Sequence, residues 1–171
     1  MELDPRHRNE KISAASISEY TARYVEKLHR VLGAVDCNAL EDAYKLVSSV
    51  IQQDRQIFVG GNGGSSAIAD HLCCDWVKGT HVSFLPAARV YPLVSSTALY
   101  SALVNDIGVE NAMARQVEML GRPGDMVLLI SSSGNSPNIL KTAKVARDKD
   151  MRILAFTGFS GGQLKDLADV C

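Results

Sequence analysis

Apolar residues along this chain follow two patterns, short consecutive runs and longer stretches with helical spacing. The short runs predict four strands, at residues 57–59, 89–94, 126–130 and 152–157. The longer stretches carry apolar side chains three and four positions apart, which is typical of amphipathic helices. Apolar strands that alternate with helices indicate a parallel sheet covered on both faces. The pattern therefore predicts an α/β fold.

The helical pattern begins well before the first strand. From Ser16 to Leu32 the spacing predicts one helix, with Ser16 and Glu19 placed as in a capping box, and a second is predicted over residues 39–53. Later helices are predicted at residues 65–77, 97–104, 109–120, 137–148 and within 158–169, with a turn at 105–108.

A glycine-rich loop follows the first strand in the segment IFVGGNGGSSAIADHLCCDWVKG, residues 57–79. Glycines let main-chain N–H groups approach an anion closely, and the helix that follows directs its positive dipole end to the same place. Ser65 is placed to cap that helix or to donate its hydroxyl to a ligand. Strand, glycine loop and helix together predict a phosphate site.

A second loop of the same kind follows the strand in MVLLISSSGNS, residues 126–136. The apolar run ends in serines, Ser136 is placed as a helix cap, and Pro137 stands at the first helical position, where its missing N–H costs nothing. Ligands of parallel sheets bind beyond the carboxyl ends of the strands. Both loops lie there, so the sequence predicts one crevice lined from two sides.

Loops rich in glycine and serine do not always bind a ligand, because both residues also collect in tight strand-to-helix turns. These two loops do not form a P-loop, because no lysine follows the glycines in the GK[ST] position. They do not form a dinucleotide fingerprint either, because no GxGxxG leads to an acidic residue after a second strand. A small phosphorylated ligand fits this pattern better than a nucleotide.

The helix after the glycine loop carries a histidine and a carboxylate on one face. His71 and Asp75 are four residues apart, so they lie side by side on a helix. Such a pair can bind a metal ion or share proton-transfer work, and it can equally be the solvated face of an amphipathic helix. Spacing alone leaves both interpretations open.

Composition restricts the remaining classes of function. The chain has 171 residues, 46% hydrophobic and 22% charged, with a net charge of −1, which gives no case for a nucleic-acid or membrane partner. No apolar run reaches the roughly 18 residues of a membrane span, and the first residues, MELDPRHRNEK, lack a signal-peptide core. The four cysteines show no disulfide framework. We expect a cytoplasmic protein with reduced thiols.

Four segments of the chain resemble the sugar isomerase (SIS) family, and within it the bacterial phosphoheptose isomerases. They are GGNGGS with the downstream His71, VNDIG, GRPGDMVLLISSSGNSPNIL and ILAFTGFSGGQL, in order and with compatible spacing. The resemblance implies a three-layer α/β/α sandwich with a five-stranded parallel sheet. It also implies a homotetramer in which the N-terminal helices pack between subunits.

The resemblance also assigns roles to individual residues. It implies a phosphate site made by Ser131, Ser132, Ser133 and Ser136. It implies sugar contacts from Gly61, Asn62, Ser65, Asn105 and Asp106. His71 and Asp75 would be catalytic, and in some members of the family these two positions bind zinc.

The chain departs from the family pattern in two places. Asp75 stands where the family usually has a glutamate, which is one methylene longer, and a displacement of about 1 Å at a catalytic group can cost about a hundredfold in rate. Family members also continue past the position of Cys171 with a strand and a helix that carry a glutamine and a histidine of the active site. We therefore expect one SIS domain over residues 1–171, with a helical segment at 1–54 and an α/β core at 55–171 that lacks those two elements.

The expected activity is an aldose–ketose isomerisation. It would interconvert sedoheptulose 7-phosphate and D-glycero-D-manno-heptose 7-phosphate, a step toward heptose for cell-surface lipopolysaccharide, with Asp75 as the base and His71 as a metal ligand or polarising group. Two alternatives belong to another class of function. One is a non-catalytic SIS protein that oligomerises and binds a partner, as replication-initiator-associating members do, and the other is a module that senses a sugar phosphate.

Overall fold

The structure, a computed structural model, describes residues 12–82 and 87–171. The first eleven residues, where the sequence predicts no signal-peptide core, lie outside the described residues. Backbone contacts divide the chain into two units, one up to Leu40 and one from Glu41 to Cys171. That residues 1–171 form a single domain stays a prediction.

The described residues form helices and strands that alternate along most of the chain. The helices are α1 (Ile17–Gly33), α2 (Cys37–Gln52), α3 (Gly64–Cys74), a π-helical turn (Asp75–Gly79), α4 (Thr97–Ile107), α5 (Val109–Leu120), α6 (Pro137–Asp148) and α7 (Gly162–Leu167). The strands are β1 (Gln56–Gly61), β2 (Arg89–Pro92), β3 (Met126–Ser131) and β4 (Arg152–Thr157).

The four strands form one parallel sheet in the order β2–β1–β3–β4. Ile57 of β1 pairs with Val90 on one side and with Met126 on the other. The predicted α/β class with a parallel sheet is confirmed. The five strands implied by the resemblance are not all present in the described residues, where only an isolated parallel bridge from Val170 to Leu154 lies beyond β4.

Helices cover both faces of the sheet. Successive side chains of a strand point to opposite faces, so neighbouring residues of β1 pack against different helices. Phe58 of β1 packs with the buried side chains of α5, α6 and α7, whereas its neighbours Ile57 and Val59 pack with those of α2 and α3. Two separate apolar clusters result, one on each face. Residues 41–171 therefore form the expected three layers, α/β/α.

One boundary prediction that bears on the site is wrong. The predicted turn at residues 105–108 is helical as far as Ile107, so Asn105 and Asp106 lie in the last turn of α4. Gly108 then ends the helix with a φ of 83°, a conformation that favours glycine. The two polar side chains are therefore presented from a helix end instead of a loop.

The described part of the first unit contains α1 and the start of α2. Ser16 caps α1 by accepting a hydrogen bond from the Glu19 N–H, as the spacing predicts, and the Glu19 carboxylate reaches back to the Ala15 N–H. None of the α1 side chains is buried. Its apolar residues are exposed in this single chain, namely Tyr20, Tyr24, Val25, Leu28, Val31 and Leu32.

Across the described ranges, no helix combines the length and the apolar character that crossing a membrane would require.

Candidate functional site

The glycine loop joins β1 to α3 through a close backbone approach. A Cβ atom on Gly61 would lie 2.7 Å from the Ser65 backbone, so only glycine fits where the strand meets the helix. The predicted capping role of Ser65 is wrong. Gly63, with a φ of 52°, takes the cap position, and Ser65 lies inside the first turn of α3, where its N–H donates to the Asn62 carbonyl at 2.9 Å.

The serine loop, residues 131–136, joins β3 to α6. The Ser131 hydroxyl accepts a hydrogen bond from the Gly134 N–H, and the Ser133 hydroxyl accepts one from the Asn135 N–H, both at 3.2 Å. Each of these hydroxyls keeps its own proton free to donate to a ligand. Ser136 is the cap residue of α6, as predicted, but its side chain makes no capping bond.

The loop after β4 holds the serine loop in place. Gly134 has a φ of 62°, and a Cβ there would lie 1.8 Å from the Gly161 carbonyl oxygen. The Gly134 carbonyl accepts from the Leu164 N–H at 2.9 Å, and the Asn135 side chain accepts from the Gln163 N–H at 3.0 Å. The sequence pattern predicted no role for this segment, although its paired glycines signal a close approach.

A pair of asparagines connects the two loops. The Asn62 amide donates to the Asn138 side-chain oxygen at 3.0 Å, and the Asn138 amide donates back to the Asn62 oxygen at 2.7 Å. Asn138 lies in the first turn of α6 and is buried. The sequence predicted Asn62 as a site residue but not Asn138, whose only signal is a polar residue two positions after the helix cap.

His71 and Asp75 lie side by side, as their spacing predicts. The His71 Nε2 atom is 3.6 Å from a carboxylate oxygen of Asp75, and the two side chains are 78% and 62% exposed. Asp75 marks the point where α3 changes into a π-helical turn, a feature that is frequent at functional sites. In this single chain the pair therefore stands in solvent.

Two further side chains of α3 bear on the site. Asp70 accepts a hydrogen bond from the Ser95 hydroxyl in the loop after β2, so this loop is tied to the helix that carries His71. Burial, together with the charge of Asp70, raises the pKa of the Cys73 thiol to about 11. The thiol is therefore protonated at neutral pH, so Cys73, which is buried in the core, is a poor nucleophile.

The remaining predicted sugar contacts form a local pair at the end of α4. The Asn105 amide donates to the Asp106 carboxylate at 2.9 Å, and both residues are exposed. Within the described ranges, no hydrogen bond or ion pair connects them, His71 or Asp75 with the serine loop. The structure thus links Asn62 to the start of α6. The His71–Asp75 pair and the Asn105–Asp106 pair have no such link to the serine loop in the described residues.

A zinc ion at the His71–Asp75 face would need more ligands than this face supplies. A catalytic zinc site ordinarily takes three protein ligands. His71 and Asp75 supply two, and the described residues contain no group of three or more His, Cys, Asp or Glu side chains that could hold a metal ion. The described part of this chain therefore does not fit a complete catalytic zinc site.

Comparison with known proteins gives a consistent result. A family model described as "SIS domain" matches residues 19–158. The phosphoheptose isomerase of Akkermansia muciniphila is 36% identical over 132 residues, which cover 77% of this chain and 69% of that protein. The phosphoheptose isomerase of Bordetella avium is 38% identical over 128 residues, or 75% of this chain and 64% of that protein. The chain thus spans less than two thirds of the Bordetella relative.

A solved structure resembles the backbone closely. The phosphoheptose isomerase from Francisella tularensis superposes with a TM-score of 0.76 and 30% sequence identity. The match covers 90% of this chain and 78% of that protein. The similarity extends over both the sequence and the arrangement of helices and strands.

Proposed function

Since the chain belongs to the SIS domain family, we propose that it is an aldose–ketose isomerase of sugar phosphates. The proposed reaction interconverts sedoheptulose 7-phosphate and D-glycero-D-manno-heptose 7-phosphate, as a step toward heptose for lipopolysaccharide. The observation that carries the proposal is the pair of backbone-defined loops at the carboxyl edge of the sheet, joined through Asn62 and Asn138.

The serine loop is the proposed phosphate clamp. Ser131 and Ser133 accept from backbone N–H groups, which fixes their oxygens and leaves their hydroxyl protons free to donate. Ser132 and Ser136 have no side-chain hydrogen bond to other described residues, so their hydroxyls are also available. The first turn of α6 adds the Asn138 N–H and the positive end of the helix dipole, whereas Pro137 has no N–H and the Ile139 N–H donates to the Asn138 side chain. Together these groups suit the doubly charged phosphate of a sugar.

The other end of the sugar would lie against the glycine loop and the exposed face of α3. Gly61, Asn62 and Ser65 are the proposed sugar contacts on the loop, and Asn105 and Asp106 are proposed contacts from α4. Because the phosphate is held at a distance from the reacting carbons, its binding energy can be used to position them.

The proposed chemistry proceeds through an enediol and transfers one proton between C1 and C2 and the hydroxyl proton between O1 and O2. Asp75 removes the proton from one carbon and returns it to the neighbouring carbon. His71, whose Nε2 lies 3.6 Å from the Asp75 carboxylate, polarises the substrate oxygen and keeps the carboxylate oriented. Both groups are exposed in the single chain, so closure by substrate or by another subunit would be needed to exclude water.

Zinc has no part in the proposed proton transfer. His71 and Asp75 would hold a zinc ion weakly, because two ligands leave the coordination incomplete. Bound there, zinc would supply a positive charge next to the substrate oxygen.

We also propose a homotetramer in the cytoplasm. The exposed apolar residues of α1 supply a surface suited to burial between subunits. All four cysteines are free, three of them exposed, which suits a reducing compartment.

A binding protein without catalysis remains the second candidate. Its support is specific to this chain, because Asp75 is one methylene shorter than the family's usual glutamate. A sugar-phosphate sensor or a partner-binding oligomer would keep the serine loop and would not need a carboxylate at this position. Both candidates predict binding of a sugar phosphate, but only the isomerase would convert it to product.

Titration calorimetry with sedoheptulose 7-phosphate tests the clamp. Replacing Ser133 with alanine removes a hydroxyl donor and should weaken binding by about 1–3 kcal/mol. Ser101→Ala, an exposed serine on α4, is the matched control and should leave the affinity unchanged. Equal affinities for the Ser133→Ala variant and the unmodified chain would exclude this loop as the clamp.

A further inference from the structure

A cavity of about 270 Å³ lies at the opposite edge of the sheet, where β1, β2 and β3 begin. Three arginines line it, Arg55, Arg89 and Arg122, above apolar side chains that include Phe58 and Tyr91. This edge is separated from the serine loop by the length of a six-residue strand, about 20 Å. None of these residues takes part in the site described above.

The two carboxylates in the cavity wall already have partners. Asp54 pairs with Arg89, whose Nη1 atom is 3.6 Å from the carboxylate and 3.1 Å from the Asp54 carbonyl oxygen. Asp125 is buried, and its two oxygens accept the N–H groups of Gln56 and Arg122, each at 2.9 Å. In the described residues, neither carboxylate forms an ion pair with Arg55 or Arg122.

Arg55 and Arg122 are left without a carboxylate partner among the described residues. Both line the same cavity, and the Arg55 guanidinium lies 3.4 Å from the position of a Cβ on Gly124, two residues after Arg122 in the chain. Gly124 has a φ of 84°, so the tight turn that brings these groups together requires glycine. With three arginines and two aspartates in its wall, the cavity carries an excess of positive charge, which favours an anionic ligand.

We propose that this cavity binds a compact metabolite through a phosphate or carboxylate group. The planar fork of arginine matches both oxyanions with two parallel hydrogen bonds. The volume is slightly below the roughly 300 Å³ at which ordinary small-molecule pockets begin, so the ligand is small. Phe58, Tyr91 and Leu120 provide apolar contacts for the rest of the molecule.

Nuclear magnetic resonance with isotope-labelled protein tests the proposal, with inorganic phosphate and malonate as probes. The amides of Gln56, Arg122 and Gly124 report on the cavity, and those of Gly134 and Asn135 report on the serine loop. We expect the first group to shift in a saturable way, with a dissociation constant of about 1 mM or below. The probe with the tighter binding identifies the oxyanion.

The variant Arg55→Gln/Arg122→Gln should weaken this binding at least tenfold, since it removes two charge-assisted contacts. Both side chains are exposed, so the fold should tolerate the change. Arg115→Gln removes an exposed arginine outside the cavity and should leave the affinity within about twofold. A Ser132→Ala/Ser133→Ala background separates this binding from any binding at the serine loop.

Three results would overturn the proposal. The first is that the amides of Gln56, Arg122 and Gly124 do not shift with either probe. The second is that the double arginine variant binds as well as the unmodified chain. The third is an equal loss in Arg115→Gln, which would indicate attraction by overall charge instead of a site.

Discussion

The serine loop and the His71–Asp75 face of α3 lie after neighbouring strands, but they are supported in different ways. Backbone hydrogen bonds and a close approach between Gly134 and Gly161 determine the conformation of the serine loop. His71 and Asp75 are exposed side chains, and the one ion pair they form with a described residue is the 3.6 Å contact to each other. The phosphate-binding end of the proposed site is therefore preorganised within one chain, whereas the chemical end is not.

This difference indicates where the chain tolerates change. A backbone-defined loop is damaged by any atom that enters its close contacts, even when no functional group is lost. An exposed pair of side chains can be replaced with little effect on folding but with a large effect on chemistry. Substitutions in the two regions should consequently separate stability from turnover.

The largest effect is expected at Asp75. Asp75→Asn removes the proposed base and should lower kcat for sedoheptulose 7-phosphate by about two to four orders of magnitude. Its affinity for the sugar phosphate and its unfolding free energy should change little, because the side chain is exposed. A steady-state assay together with calorimetry measures both quantities.

Two further variants at this face make the test sharper. Asp75→Glu restores the side-chain length that is usual in the family. It should raise kcat by up to about a hundredfold if the short side chain of Asp75 limits the rate. Asp148→Asn, an exposed aspartate at the end of α6, is the matched control and should have no effect. Wild-type turnover in Asp75→Asn would remove Asp75 from the mechanism.

The serine loop should show the opposite behaviour at Gly134. Gly134→Ala places a Cβ 1.8 Å from the Gly161 carbonyl oxygen at a φ of 62°, which should cost about 3 kcal/mol of unfolding free energy. Phosphate binding should be lost with the loop geometry. Urea unfolding monitored by circular dichroism measures the change.

Gly64→Ala is the control for Gly134→Ala. A Cβ on Gly64 meets no atom within 4 Å, so the substitution should change the unfolding free energy by at most about 1 kcal/mol. Similar unfolding free energies for the two alanine variants would show that the contact between the loops after β3 and β4 does not determine the conformation of the serine loop.

A smaller effect is expected at the link between the two regions. Asn138→Ala leaves the Asn62 amide without its partner and should lower the unfolding free energy by about 1–3 kcal/mol. A double-mutant cycle with Asn62→Ala should give a coupling energy of about 1 kcal/mol or more. Strictly additive effects would mean that the reciprocal hydrogen bonds do not connect the loops.

Much of the fold follows from local pattern. Residues 126–130 and 153–156 are apolar runs with a helix between them, and such runs leave few alternatives to a buried parallel strand. The limits of α5 agree with the predicted ones because Gly108 and Gly121 mark its ends. The turn predicted at 105–108 failed because Asn and Asp also occur in a last helical turn, which the pattern does not distinguish from a loop.

The candidate site was predictable only in part, for a physical reason. His71 and Asp75 share a helix, so their separation of four residues fixes their distance. Asn138 and Gly161 act through contacts with residues far away in the chain, at Asn62 and Gly134, and no local spacing encodes them. The predicted capping role of Ser65 failed because the cap residue is Gly63, two positions earlier, with a positive φ of 52°.

Proton exchange during incubation with sedoheptulose 7-phosphate in heavy water tests the central claim most directly. An isomerase that works through an enediol incorporates solvent deuterium at C1 or C2 while the heptose 7-phosphate product accumulates, and nuclear magnetic resonance detects both. We predict that the unmodified chain gives product and deuterium and that Asp75→Asn gives neither, although both bind the substrate. Binding by the unmodified chain without exchange and without product would contradict the isomerase and leave a sugar-phosphate-binding protein.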